Sequence, residues 1–567
     1  MMTSRAGALI LIISIAIFSL VVGAEAQTAA NSGNRADIVI RGGKIIDGTG
    51  ARPFIGDVAV AQDRIIFVGE RYAGQGLREL DAEGLVVAPG FIDAHSHADR
   101  DVGKPGRGAN EGYVRQGVTT FVGGPDGGAS PGDIQSYLSA YEENGVSTNY
   151  AFYVGHNAIR REVMGPAPRE AREDELHRMG ALVKQGMEMG AVGFSTGLMY
   201  EPGMWSSTEE IIALAKEVAP FGGVYDSHVR NPVFDLLGSD REAIEIGRAA
   251  GIPVKIGHLK VVGLHNAGLI DDVIDLINKA RSEGVLVVAD QYPYDGAATK
   301  NLHEIVLLPE EVEEKFNQRV EADGNEAQQG ARLDFIKEAL SDRSTREAAR
   351  RLSEQGREGG FSWIRSVGYT SIRIVQSHEA PDIEGAHLSE LSDQDGKSGF
   401  DTLVDVITKS EHPTLATMGS VASGDVETLL VQPWTMIASD GAWLAEQENA
   451  HGGHPRSTGT FPKVLGQFVR EQGVLDLAEA VRKMTDFPAD FLQLDDRGRL
   501  QNGYFADIVI FSEEEIAARS NWENSTLYAA GVRDVIVNGE FVLQNKQMTN
   551  RRPGRHLRKG SRPRSGE

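Results

Sequence analysis

The chain has 567 residues, 41% of them hydrophobic, a formal net charge of −24 and no cysteine. That length exceeds one ordinary compact domain and supplies a large core, so one big domain plus a smaller one is expected. The acidic balance excludes nucleic acid as a partner, and the lack of cysteine excludes disulfides and a lipoprotein anchor.

Residues 1–26 read as an export signal: Arg5 gives the positive start, residues 6–22 are apolar, and Ala24-Glu25-Ala26 offers small residues for cleavage before Gln27. An uncleaved anchor is the alternative, since the apolar run is nearly bilayer length. The expectation is an exported protein, periplasmic or secreted, with no stable membrane association once the signal is removed. From 27 to 88, residues 36–40, 44–48 and 57–60 have strand character, the last alternating as a half-buried strand does. Residues 506–511 and 532–539, within 491–550, have the same character. An isolated pair of strands cannot bury its apolar face, so the two chain ends predict one small β-sandwich domain between them.

Across residues 89–490, short apolar runs alternate with helical stretches. The runs end near His97, Gly124, Gly155, Ser195, His228, His258, Asp290 and Asp440. Eight such runs predict an α/β fold of the TIM type, a (β/α)8 barrel. Near 297–430 the rhythm breaks into charged helical segments such as 310–315 and 346–351, with one further apolar run at 371–375 before the eighth strand, read together as an insertion over the barrel mouth whose charge runs are solvated helix faces. Residues 551–567 form a basic tail, read as a strapped or disordered terminus rather than a partner site.

Phe91-Ile92-Asp93-Ala94-His95-Ser96-His97 sets two imidazoles at alternate positions of an extended segment, so both leave on one face and can meet one ion. Alone the pattern is weak. His228, His258 and Asp440 each close a predicted strand at the end where barrel enzymes carry their chemistry, and five such residues on four strands is not a core pattern. A divalent ion, Zn2+ being the one expected, lowers the pKa of a bound water to about 7 and polarises an amide carbonyl. Asp440 suits the task of taking that water's proton and returning it to the leaving nitrogen. Its other reading is a helix N-cap after a strand.

Further motifs follow in order: Gly117-Val118-Thr119-Thr120, Gly193-Phe194-Ser195-Thr196-Gly197-Leu198, His258-Leu259-Lys260, Gln291-Tyr292-Pro293-Tyr294, Ser439-Asp440-Gly441, His454-Pro455-Arg456 and Gly503-Tyr504-Phe505-Ala506-Asp507. With the His-x-His segment they resemble the amidohydrolase superfamily and, within it, the D-aminoacylase (N-acyl-D-amino-acid deacylase) family, over nearly the whole chain from Ala36. The resemblance implies a TIM-type metal-dependent hydrolase barrel with a small β domain and one or two divalent ions in the barrel mouth. It implies hydrolysis of a linear amide C–N bond in a small N-acyl amino acid or peptide-like amide by a metal-activated water, with D-selectivity inherited from the family.

By the same resemblance His95 and His97 match the ligands of one ion, His228 and His258 those of the tighter ion, and Asp440 the catalytic carboxylate. Lys260, Tyr292 and Arg456 match positions near the substrate's carboxylate, which calls for cations and a hydroxyl donor. The family's Gly-Asn-Cys-Gly turn, with its Cys ligand, is replaced here by Gly124-Pro125-Asp126-Gly127. Asp126 is therefore read as a ligand beside His228 and His258, placed to bridge to the ion of His95 and His97; the alternative is a turn Asp bonding its own backbone. His156 closes the third strand and is read as unligated. The competing readings are a dipeptidase or cyclic-amide hydrolase of the same superfamily, and a catalytically silent metal-binding scaffold.

Overall fold

Eight short parallel strands follow one another in chain order around a barrel: β1 (Phe91–Asp93), β2 (Val118–Gly123), β3 (Asn149–Gly155), β4 (Gly193–Gly197), β5 (Val224–His228), β6 (Val254–Ile256), β7 (Val287–Gln291) and β8 (Thr435–Ile437). The computed structural model describes residues 35–323, 328–357, 360–419, 421–422, 424–445 and 453–560. The export signal expected at residues 1–26 lies outside them. Among the described residues no helix is long and apolar enough to cross a membrane.

Strand alternation decides which side chains face which way. Phe91, Phe121, Phe152, Phe194 and Tyr225 pack outward with helix residues such as Met179, Ile211 and Ile277. Their neighbours Ile92, Val122, Tyr153 and Val224 belong to a second cluster inside the barrel, shared with Val288, Met436, Phe491 and Leu557. The last gap is closed not by β1 and β8 themselves but by the segments that follow them: Gly441 pairs with Ser96 and Ala442 with His97, in parallel.

Four helices matter below: α1 (Pro131–Asn144), α2 (His156–Met164), α3 (Leu236–Ala250) and α4 (Arg456–Lys463). The first shows how local sequence sets their limits. Ser130 caps α1 and Asp133 reciprocates in a capping box, Pro131 takes the first turn, and Gly145 at φ 69° ends it.

A nine-stranded sheet joins the chain's two ends. Val86–Pro89, from the N-terminal part, pairs antiparallel with Ile508–Phe511, from the C-terminal part. Ile38, Ile40, Val58, Val60 and Ile65 then bury their faces against Ile508, Ile510 and Ile536. The described part of the basic tail is strapped to the start of β3: the Tyr150 N–H donates to the Arg555 carbonyl (3.0 Å), and the Leu557 N–H to that of Tyr150 (2.7 Å).

The insertion differs from the charged helical layer expected. Gly296–Asn301, Leu415–Gly419 and Ile372–Gln376 form a three-stranded antiparallel sheet with Leu415–Gly419 in the middle. Leu302, Ile336, Phe400, Leu403 and Met418 give it a core of its own. Leu415–Gly419 does not read as a strand in sequence because Thr417 interrupts its short apolar run. Its helices do carry ion pairs, such as Arg332 with Glu313 at 2.7 Å.

Candidate metal centre and active site

His95 and His97 lie just beyond β1, though not on one unbroken strand as expected. The strand stops at Asp93, the chain bends through Ala94 and His95, and it resumes as Ser96–His97. Asp93 organises the bend: its carboxylate accepts the N–H of Ser439 (2.9 Å) and of His95 (3.3 Å), and the Ser439 hydroxyl. The Asp440 N–H in turn donates to the His95 carbonyl at 2.9 Å. The ends of β1 and β8 are thereby sewn together, which brings His95, His97 and Asp440 to one place. Burial pushes the Asp93 carboxyl up to about 6 even against these donors.

Asp126 follows β2 in a turn with Gly124 at φ 72° and Gly127 at φ 73°. Ser195 of β4 clamps that turn, donating to the Gly124 carbonyl (2.6 Å) and accepting the Gly127 N–H (3.1 Å). A side chain on Gly124 would bring its Cβ to 2.4 Å from the Tyr153 carbonyl oxygen. Asp126 (φ 55°), His258 (φ 37°) and Asp440 (φ 48°) are themselves left-handed, a costly conformation for residues with side chains. Such strain persists only where the surroundings impose it, and here all three side chains enter one cluster.

Asp126 Oδ1 stands 3.5 Å from His95 Nε2, 3.7 Å from His228 Nδ1 and 3.5 Å from His258 Nε2. Its Oδ2 is 3.4 Å from His97 Nε2. Asp440 Oδ1 is 3.1 Å from His97 Nε2 and 3.6 Å from His95 Nε2. Two groups able to hold a cation result, His95/His97/Asp126/Asp440 and Asp126/His228/His258, with Asp126 common to both. Atoms about 2.1 Å from one tetrahedral ion stand about 3.4 Å apart, so most of these spacings fit co-ligands better than hydrogen-bonded pairs. His95 Nε2, Asp126 Oδ1 and both His228 nitrogens are buried without a hydrogen-bond partner. A cation received by them removes that cost.

The electrostatics agree. Burial, then Lys260, push His258 down to about 3, which keeps its imidazole neutral and able to ligate. Burial opposes charge on His97, yet Asp126 and Asp440 outweigh it and push that imidazole up to about 10. The two carboxylates thus demand positive charge between them. Burial also opposes charge on Asp440, but Arg456 and the contact with His97 hold its carboxyl well below the usual carboxylate range.

Below this cluster lies a set of charges that sequence reasoning passed over. Lys255 of β6 sits 3.0 Å from Asp226 Oδ1 of β5 and contacts Asp290 of β7, all three fully buried. Asp290 also accepts the backbone N–H of His258 (2.5 Å) and stands 3.4 Å from His95 Nδ1, so it fixes the backbone of one ligand candidate and orients the imidazole of the other. A third acidic group, His95/Asp226/Asp290, is therefore already served by the Lys255 ammonium. Burial works against charge on Lys255, but Asp226 and Asp290 outweigh it and hold its pKa well above the ordinary lysine value. The available signal was charge at inward positions of consecutive barrel strands, where apolar side chains are the rule.

A cavity of 610 Å³ opens onto the cluster, with His97, Asp126, His228, His258 and Asp440 in its wall beside Lys260 and Arg456. Arg456, at the start of α4, holds Asp440 Oδ2 at 2.7 Å. The Lys260 ammonium donates to the His258 carbonyl at 2.8 Å. Tyr292 is buried beneath both cations, its ring centre 5.0 Å from Lys260 Nζ and 4.7 Å from the Arg456 guanidinium carbon. The insertion adds Lys300, Phe361 and Trp363 to the wall. His156, at the start of α2, stands outside the cluster with its Nε2 2.9 Å from Glu210, which also binds Arg160.

Residues 416–543 match the profile of the Amidohydrolase family. The D-aminoacylase of Alcaligenes xylosoxydans xylosoxydans is 31% identical over 543 residues, covering 92% of this chain and 97% of its own length. The N-acyl-D-glutamate deacylase of the same organism is 32% identical over 547 residues, 92% of this chain and 96% of its own. The crystal structure of N-acyl-D-glutamate deacylase from Bordetella bronchiseptica, complexed with zinc and a phosphonate inhibitor that mimics the reaction's tetrahedral intermediate, superposes with a TM-score of 0.71 at 28% identity, covering 92% of this chain and all of that one. With that extent of similarity and this barrel-mouth cluster, the chain belongs to the D-aminoacylase family of amidohydrolases.

Proposed function

We propose that this protein is a metal-dependent deacylase that hydrolyses the amide bond of N-acyl-D-amino acids, releasing a carboxylic acid and a free D-amino acid. The observation that carries the reading is the convergence of four imidazoles on Asp126, with Asp440 and two cations beside them in one cavity. Relatives that act on N-acyl-D-glutamate and bind zinc support the substrate class and the ion. Asp126, His228 and His258 would hold one divalent ion, and His95 and His97 a second that shares Asp126. An ion held there lowers the pKa of a bound water to about 7 and polarises the scissile carbonyl.

The remaining work falls to the chain. Asp440, ionised and fixed by Arg456, accepts the proton of the attacking water and passes it to the amide nitrogen. An amine leaves only once protonated, so a single carboxylate acting as base and then acid fits amide cleavage. Lys260 and Arg456 receive the substrate's carboxylate, and Tyr292 holds the two cations from below.

Zinc-loaded protein is expected to hydrolyse N-acyl-D-amino acids in preference to dipeptides and hydantoins. Turnover confined to either of the latter would move the assignment to a dipeptidase or cyclic-amide hydrolase; bound metal with no turnover of any amide would leave a silent scaffold. In the same assay Lys260→Met should lower kcat/KM on N-acyl amino acids about tenfold more than on the matching amides without a carboxylate. Equal losses would assign Lys260 to holding His258 in place.

We also propose export with cleavage after Ala26, supported by Arg5, the apolar run at 6–22 and the Ala-x-Ala pattern. N-terminal sequencing of protein from the periplasm or medium should begin at Gln27, and a mature chain that keeps Arg5 would make the segment an anchor.

A further inference from the structure

One acidic residue in the cavity wall has no part in the proposed reaction. Asp240 lies on α3 four residues after Leu236, and both belong to the wall, so one face of the helix is turned to the cavity. Asp240 is fully buried, and neither of its carboxylate oxygens has a hydrogen-bond partner. The loop before α3 adds the apolar Val229, Pro232 and Val233 to the same wall. Lys260 and Arg456 line the same cavity, yet burial alone sets the carboxyl of Asp240, pushing it up to about 8 with no cation pulling it back.

The fold gives Asp240 no structural duty. The cap of α3 is Asp235, whose side chain accepts the Gly238 N–H at 3.2 Å. A buried carboxyl without a partner destabilises the folded chain, and an apolar residue on that face would be the stable choice. Polar groups left unpaired in a ligand cavity mark the points where the ligand completes them.

Taking the deacylase reading as its basis, we propose that Asp240 is a specificity residue that receives an ammonium or guanidinium group at the end of the substrate's side chain, so that N-acyl-D-amino acids with basic side chains are the preferred substrates. The carboxylate and the cation then form a charge-assisted hydrogen bond in apolar surroundings, where it is strong. An acidic side chain gains no ion pair at that point and would have to bury its own charge there, which separates this chain from relatives named for N-acyl-D-glutamate and N-acyl-D-aspartate.

The test measures kcat/KM of the zinc-loaded protein on N-acetyl-D-lysine, N-acetyl-D-norleucine and N-acetyl-D-glutamate, in the wild type and in Asp240→Asn and Asp240→Leu. The wild type should favour lysine over norleucine by about tenfold or more, with glutamate last, and either substitution should reduce the lysine-to-norleucine ratio about tenfold. Wild-type hydrolysis without a lysine preference, or a ratio unmoved by both substitutions, overturns the role of Asp240 and leaves the deacylase reading standing. Failure to hydrolyse all three overturns that reading and the inference with it. Should neither variant fold, as judged by thermal unfolding, the wild-type ratio by itself decides.

Discussion

Asp440→Asn is expected to lose turnover by about two to four orders of magnitude while keeping its fold and its metal. Asparagine preserves the shape of the side chain and tolerates the left-handed backbone at φ 48°, so the turn that follows β8 should survive. The backbone bond from the Asp440 N–H to the His95 carbonyl is untouched by the change. What disappears is the proton acceptor, together with the charge that faces Arg456 at 2.7 Å. The helix-cap reading of Asp440 finds no support, because Gly441–Ala442 continues as a short strand and α4 begins only at Arg456. The measurement is kcat at saturating zinc, with metal content by plasma emission and Tm alongside. Near-normal rates would remove Asp440 from proton transfer, and a collapsed Tm would assign the loss to structure.

Asp126→Ala should lose metal and activity together, by about a hundredfold or more in kcat/KM, since even partners one step removed from a metal contribute about 10–100-fold. The reason lies in its two oxygens. Oδ1 faces His95, His228 and His258 while Oδ2 faces His97, so removal of this one carboxylate takes a donor from both groups and leaves only His228 and His258 in the second. The reading of Asp126 as a mere turn former is weakened by Ser195, which already binds both ends of the turn. Oxygen is a harder ligand than sulfur, so the wild type should accept manganese or cobalt more readily than a thiolate site does, and Asp126→Cys should recover zinc in part. Full occupancy and full turnover in Asp126→Ala would mean that the metal centre assembles without it.

Much of this was legible in the sequence because the signals are local. Eight apolar runs ending at His97, Gly124, Gly155, Ser195, His228, His258, Asp290 and Asp440 mark the barrel strands, since a parallel strand buried on both faces writes itself as a short continuous apolar run. The like character of residues 36–40 and 506–511 foretold one β domain from two distant ends, because neither segment can bury its face alone. Residue type at strand ends was enough to nominate His95, His97, His228, His258 and Asp440.

Convergence was decided only in three dimensions. That Asp126 is common to both donor groups follows from the closing of the barrel and from the clamp by Ser195, sixty-nine residues further along the chain. Lys255, Asp226 and Asp290 each read as an unremarkable charge in sequence; buried together they become a charge cluster that orients the His95 imidazole and holds the His258 backbone. Asp240 likewise resembles any helix residue until its burial and its want of a partner are known. A pattern of side chains along a strand or helix follows from the chain's own periodicity, whereas the energy of a buried charge depends on which distant groups the fold brings beside it.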